Sequence, residues 1–381
     1  MKIAIIGAGP AGLHFASLMK RLDPRHDITI HERGPRNATW GFGVVFSDNA
    51  LDFLRIDDAE LYNYLRPHME SWADITINHN GTGVAIAGNG YAAIGRLEML
   101  SLLYQHVEGL GVTIRFDTEI TSLSQLAGAD LILAANGANS WVREENREKF
   151  GTSTDLRPNK FMWCGSTKPF DTLSLSFHTS DVGVFCAHHY RYTPSMSTFL
   201  VEVTDATWKR AGFDRMGNDE AMRYCEKVFA QELDGHPILS NNSYWRNFPV
   251  IWNERWHFDN VVLMGDALRP AHFSIGSGTR MAMLDAVALC NAFKETGDDV
   301  PAALNRFHEL RMPTMKKIWD AANRSMRWYE EMDELVPNKN AIEFAYDYMT
   351  RTGRISHEKV RQLDPSLAAA YEKLHPEVLG I

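Results

Sequence analysis

Two glycine-rich segments about 250 residues apart each stand where an apolar strand hands over to a helix. Lys2-Ile3-Ala4-Ile5-Ile6 leads into Gly7-Ala8-Gly9-Pro10-Ala11-Gly12, and Asn260-Val261-Val262-Leu263-Met264 leads into Gly265-Asp266-Ala267 and then Gly276-Ser277-Gly278. Such turns limit the chain to an α/β fold of the Rossmann-like kind. In the first segment Gly7 permits the tight turn, Gly9 lets backbone approach a pyrophosphate, and Gly12 lets the helix lie close to the sheet. The helix that opens with Pro10 and Ala11 then turns free N–H groups toward the negative charge of a dinucleotide.

A second apolar strand, Asp27-Ile28-Thr29-Ile30-His31, ends at Glu32 and Arg33. Glu32 lies about 20 residues beyond the last glycine, the spacing of a carboxylate that accepts a ribose hydroxyl; Arg33 beside it joins the cofactor-binding set. These residues fit NAD and FAD equally. The second glycine segment favours FAD, because its ribityl chain and isoalloxazine need a docking place that NAD does not.

The chain has 381 residues, 45% of them hydrophobic, enough for a large domain or two interleaved ones. A net charge of −9 argues against nucleic acid or an anionic membrane as general partners. Cys164, Cys186, Cys225 and Cys290 are far apart, which favours reduced, buried thiols over a disulfide framework or zinc site. No metal-ligand cluster is expected. The N-terminus shows no signal-peptide pattern and no apolar run reaches about 18 residues, so a cytoplasmic protein without a transmembrane helix is expected.

Composition divides the chain into a discontinuous FAD-binding domain at 1–154 and 256–300, a sheet-based substrate domain at 155–255, and a helical C-terminal region at 301–381. Residues 40–45 read as a glycine-rich loop. From Arg96 to Val107 the apolar residues recur at helical spacing, with Arg96 at the first turn. Asp130–Ala135 reads as a strand that ends at Asn136-Gly137. Phe161–Trp163, Val184–Tyr190 and Ser197–Val203 read as strands of the substrate sheet, and Asp219–Leu233 as a helix. Alternation puts His188 and Tyr190 on one face of their strand and His189 on the other.

Several stretches together resemble the FAD-dependent aromatic hydroxylases, the single-component flavoprotein monooxygenases. They are Trp40 to Ser47, Asn253 to His257, Ala271 to Thr279, and Arg354 to Glu358 with Arg361 and Asp364-Pro365. Within that family the resemblance is greatest to aryl-CoA hydroxylases of the salicylyl-CoA and anthraniloyl-CoA kind. A weaker similarity, carried by Ala187-His188, Tyr190, Met196–Phe199, Trp245–Phe248 and His272–Gly276, runs to the tryptophan-type hydroxylase of violacein biosynthesis.

The resemblance implies that Asp266 binds the ribityl chain, that the helix after Gly276 and Gly278 points at the flavin pyrimidine edge, that Val44 lies beside the flavin ring, and that Arg96 contacts FAD. It implies that NADH or NADPH reduces FAD, that O2 then gives a C4a-hydroperoxide, and that its distal oxygen passes to an electron-rich ring carbon. The partners are then O2 and a small aromatic substrate, either a CoA thioester or a free aromatic or indole ring. His188, Tyr190 and His272 are the candidate catalytic residues, with a hydrogen-bonded core histidine as the plain alternative for each histidine.

The family pattern is broken in two places. Asn136 stands where Asp is usual, and Leu268-Arg269-Pro270 stands where Ala-His is usual. Arg269 reads as a surface arginine or a salt-bridging residue, or else as a contact to FAD or a CoA phosphate. Arg351, Arg354, Lys359 and Arg361 read either as phosphate ligands or as a solvated helix face capped by Ser356. A non-catalytic binding module on a flavoprotein fold is the alternative from another class.

Overall fold

The computed structural model describes residues 1–88 and 90–379, arranged around two main sheets. The first has six strands in the order His257–Phe258, Val261–Leu263, Leu131–Ala134, Lys2–Ile6, Asp27–His31, Thr113–Arg115. All neighbours are parallel except the first pair. Its central strands are nearly continuous Ile, Leu, Val and Ala, as expected of parallel strands buried on both faces. Ile6 and Leu263 both register against Ala134, so the two glycine segments leave the same edge of the sheet on either side of one strand. The helices Pro10–Leu22 and Gly278–Thr296 follow those turns and pack on each other.

The second sheet has eight strands. Thr152–Ser166, Met196–Val203, Gly183–Thr193 and Leu173–Ser180 form its antiparallel centre. Ile75–His79 and Thr82–Ile86 join from far upstream, the former parallel to Leu173–Ser180. Arg246–Asn253 pairs with Thr152–Ser166 and returns the chain to the first sheet. One face packs on the helices Asn218–Val228 and Ala230–Leu233, through Phe185 against Tyr224 and Phe199 against Phe229. The opposite face meets the C-terminal helices, with Phe177 against Tyr329 and Phe344.

Gly43–Ser47, read above as part of a loop, forms a strand paired with Tyr91–Gly95 in a small third sheet. Its partner lies far along the chain, so no local pattern announces the pairing. The C-terminal region is helical. Asp299, Asn340, Ser356 and Asp364 each cap a helix by accepting backbone N–H bonds, which satisfies donors that the first helical turn leaves open. Among the described residues no helix is long and apolar enough to cross a membrane. All four cysteines are free and buried.

Candidate active site

Gly7 has φ +102° and donates its amide to the His31 carbonyl at 2.8 Å; a Cβ there would meet the Ala135 carbonyl oxygen at 2.5 Å. At Gly12 a Cβ would stand 2.5 Å from the Gly7 carbonyl oxygen, so helix and strand touch only because both residues lack side chains. Gly9 differs, since nothing lies within 4 Å of a Cβ built on it although it is the N-cap of the helix starting at Pro10. Gly278, the first residue of the second helix, opens on the same kind of empty space. Two helix N-termini therefore face free volume where a ligand's backbone-seeking groups would lie.

The two termini form one site. A Cβ on Gly265 would come 3.1 Å from the Ala11 methyl and 3.4 Å from that of Ala282, so both helices and the Gly265 turn pack through methyl-sized groups. Arg143 adds a polar tie, donating to the Ala267 carbonyl at 3.0 Å and to the Ala138 carbonyl at 2.5 Å. Gly276, at φ +56°, rests near Val45 of the third sheet. Val44 is buried in that strand opposite Ile94.

Asp266 is open to solvent and yet crowded by protein, the condition of a side chain projecting into a deep trough. That crowding raises its carboxyl above the usual range, opposed first by Arg96. Loss of water likewise lowers the Arg96 guanidinium, with Asp266 the main opposing charge. Arg96 donates from Nε to Thr39 at 3.1 Å, and its amide bonds the Phe42 carbonyl at 2.8 Å. At the far end, Glu32 accepts from the amides of Ala8 at 2.8 Å and Gly34 at 2.9 Å, while Arg33 is exposed. Asn136 lies against the Gly7 turn, and its Oδ1 is buried with no hydrogen-bond partner. The open helix ends, the Asp266–Arg96 pair and this unsatisfied acceptor fit a dinucleotide-length cofactor.

The strand Gly43–Ser47 ties this trough to the large sheet. Gly43 receives the Tyr190 hydroxyl on its carbonyl at 3.0 Å and gives its amide to Thr198 at 2.9 Å, and a Cβ there would meet the Tyr192 ring at 2.7 Å. Asn241 holds the preceding turn through the carbonyls of Thr39 and Gly41. The Tyr190 hydroxyl is thus occupied by backbone, which makes it a support for the loop.

His188 shares the face of Tyr190, and His189 points away to Ser176 and Phe199. His188 meets Phe273 edge-on at 5.4 Å and Tyr329 at 5.1 Å. His272 reaches the same group, 4.1 Å from the Phe273 ring and 6.4 Å from that of Tyr329. Its Nδ1 accepts from the Ser274 amide at 3.4 Å and contacts the Ser274 hydroxyl at 2.9 Å. Burial lowers His272 to about 4, with Glu202 nearby opposing the shift, so the ring is neutral near pH 7. Sequence reading passed over Glu202 and Tyr329; the signal was a lone carboxylate within the apolar strand Met196–Val203.

Arg269 and the tail cations each carried two readings. Arg269 does not open onto the trough: it is buried, bonded to Asp285 at 2.5 Å, and Asp285 also takes Arg311 at 2.8 Å and the Gly265 amide at 3.3 Å. It is a salt-bridging residue. Among the tail cations Arg354 and Lys359 are exposed, while Arg351 and Arg361 are engaged within the protein. Arg351 donates to the Ser274 carbonyl, the Ser325 hydroxyl and the Tyr348 carbonyl, and Arg361 pairs with Glu372, while Ser356 caps its helix as expected.

Sheet order, paired glycine turns and the trough between them define an α/β flavoprotein. Residues 127–322 match the family model described as FAD binding domain. Salicyloyl-CoA 5-hydroxylase from a Streptomyces species is 39% identical over 361 residues, covering 92% of this chain and 70% of that protein. Protodeoxyviolaceinate monooxygenase from Chromobacterium violaceum is 34% identical, covering 92% and 94%. The tetrameric form of 2-methyl-3-hydroxypyridine-5-carboxylic acid oxygenase has the same fold, at TM-score 0.68 and 15% identity over 94% of this chain and 95% of that one. The chain belongs to the FAD-binding monooxygenases. It is an FAD-dependent aromatic hydroxylase.

Proposed function

We propose that this hydroxylase acts on an electron-rich aryl-CoA thioester of the salicyloyl kind, using O2 and either NADH or NADPH. The observation that carries the reading is the meeting of His188, His272, Phe273 and Tyr329 on the sheet face that Tyr190 joins to the cofactor trough. The 39% identity to an enzyme named for salicyloyl-CoA supports the thioester. The relative named for protodeoxyviolaceinate favours the second reading, a free indole-type ring.

In this reading Gly7, Gly9, Pro10, Ala11 and Gly12 seat the pyrophosphate, Glu32 the ribose, and Asp266 with Arg96 the ribityl chain. Val44, Gly276 and Gly278 border the ring system. When bound, the flavin supplies O2 activation with electrons from the nicotinamide. The protein excludes water, holds the aromatic ring against Phe273, and offers imidazoles as acceptors for a ring O–H or N–H. We assign 1–154, apart from Ile75–His79 and Thr82–Ile86, and 256–300 to the FAD-binding part, and 155–255 together with those two strands to the substrate part. Reduced, buried thiols support a cytoplasmic setting.

The test is substrate-stimulated oxidation of NADH and of NADPH by the flavin-loaded protein. Salicyloyl-CoA, anthraniloyl-CoA, their free acids and tryptophan are compared. Salicyloyl-CoA is expected to stimulate at least ~10-fold more than salicylate. Stimulation by tryptophan or a free acid alone overturns the thioester reading.

A further inference from the structure

Glu202 belongs to no part of the cofactor trough, and the proposed chemistry makes no use of it. It is 1% exposed near the C-terminal end of the strand Met196–Val203, on the face that carries Thr198 and Leu200. Asn159 donates to its Oε1 at 2.9 Å. Its Oε2 is buried without a hydrogen-bond partner and stands 3.5 Å from Nε2 of His188, which is likewise buried and unsatisfied. The hydroxyl of Tyr329, packed on the His188 ring, is a third buried polar atom with no partner. Among the described residues Nδ1 of His188 makes no hydrogen bond and is not a buried orphan, so the ring has a sealed nitrogen and an open one. The other ionisable groups around this spot are His272, Cys186 and Arg351, and Arg351 is engaged by Ser274, Ser325 and Tyr348.

A buried carboxylate is costly to desolvate, and a neighbouring donor that it orients can offset that cost. We infer that Glu202 is a positioning residue: it holds the N–H of His188 on Nε2, so that Nδ1 presents a lone pair to a hydrogen-bond-donating substituent, O–H or N–H, on the substrate ring. This rests on the proposal that the ring lies against His188 and Phe273. The dyad makes the hydroxylase selective for rings with such a donor, because a ring lacking it leaves Nδ1 unpaired.

Calorimetric binding to the FAD-loaded protein tests this with two probe pairs, salicyloyl-CoA against benzoyl-CoA and salicylamide against benzamide. The wild type is expected to prefer the hydroxyl-bearing member of each pair by about tenfold. Glu202→Gln should cut that preference to within about twofold while leaving benzoyl-CoA and benzamide affinities and FAD content unchanged. Asn159→Ala, which frees the carboxylate but keeps it, should give an intermediate loss and serves if the first variant fails to fold; Glu202→Asp should recover part of the preference. An undiminished preference in Glu202→Gln, or in Asn159→Ala where that variant alone folds, overturns the inference. So does equal loss of both members of a pair. If neither thioester binds the wild type but the amides do, the thioester reading fails and the amide pair still decides the role of Glu202. Should no probe show a wild-type preference for the hydroxyl, the inference is wrong.

Discussion

Asp266→Ala removes a carboxylate that water reaches through the trough and that Arg96 faces as counter-charge. The folded chain loses little by this, since crowding already disfavours the anion, whereas a bound ribityl chain loses an acceptor. FAD affinity should fall about tenfold or more, read as the flavin-to-protein absorbance ratio after gel filtration, with the apoprotein melting temperature nearly unchanged. Two buried histidines give a pH prediction. His272 is lowered to about 4 and His189 to about 3, burial being the main cause and Glu202 and Glu232 opposing it. Below about pH 6.5 the unfolded chain takes up protons that the folded one refuses, so stability is full above that pH and falls toward pH 4 and below. The loss is on the order of 3 kcal/mol for His272 and on the order of 5 kcal/mol for His189 once the pH is below each folded value. Urea midpoints at pH 7, 5.5 and 4.5 should decline, and less steeply in His272→Gln. At this scale the expectations for Gly7 and Glu32 came from spacing within the first glycine segment and the strand after it, whereas those for Arg96 and Asp266 came from the family resemblance. Glu202 and Asp285 were not legible, since their partners Asn159, His188, Arg269 and Arg311 come from other elements.

The glycines separate by element. Gly12 is closed by the Gly7 carbonyl and the Ile5 side chain at 2.5 and 2.9 Å, whereas Gly9 and Gly278 open on empty space at the N-termini of their helices. Gly12→Ala should therefore destabilise the apoprotein by about 1–3 kcal/mol through overpacking. Gly9→Ala and Gly278→Ala should leave its urea midpoint almost unchanged yet weaken FAD by about tenfold, because the added methyl occupies space the ligand needs. Equal destabilisation by all three would show that the open pair is structural. Strand periodicity was readable in the same way. Alternation alone separated His188 and Tyr190 from His189, while the pairing of Gly43–Ser47 with Tyr91–Gly95 depends on a chain closure no local window contains.

Across the molecule, Asp285 gathers Arg269 beside the Gly265 turn, Arg311 from the long helix Val300–Glu330, and the Gly265 amide. Asp285→Asn leaves two buried guanidiniums without their shared counter-ion and should cost about 3–5 kcal/mol, measured by chemical denaturation. Arg351→Ala should cost about 1–3 kcal/mol, because the Ser274 carbonyl and the Ser325 hydroxyl lose a charged donor together. The two strand–glycine–helix turns exposed the α/β class to sequence reading. How the tail reaches back to the glycine loop was hidden, since Arg351 and Ser274 meet only after the whole chain has closed.

The contact of Gly265 with Ala11 and Ala282 works as a ruler. With nothing thicker than a methyl group between the two helix ends, the backbone sets the distance from the proposed pyrophosphate seat to the proposed ring seat. A mononucleotide such as FMN brings the ring, the ribityl chain and one phosphate but no ribose for Glu32, so FMN against FAD affinity in one titration measures what the proposed adenosine end adds.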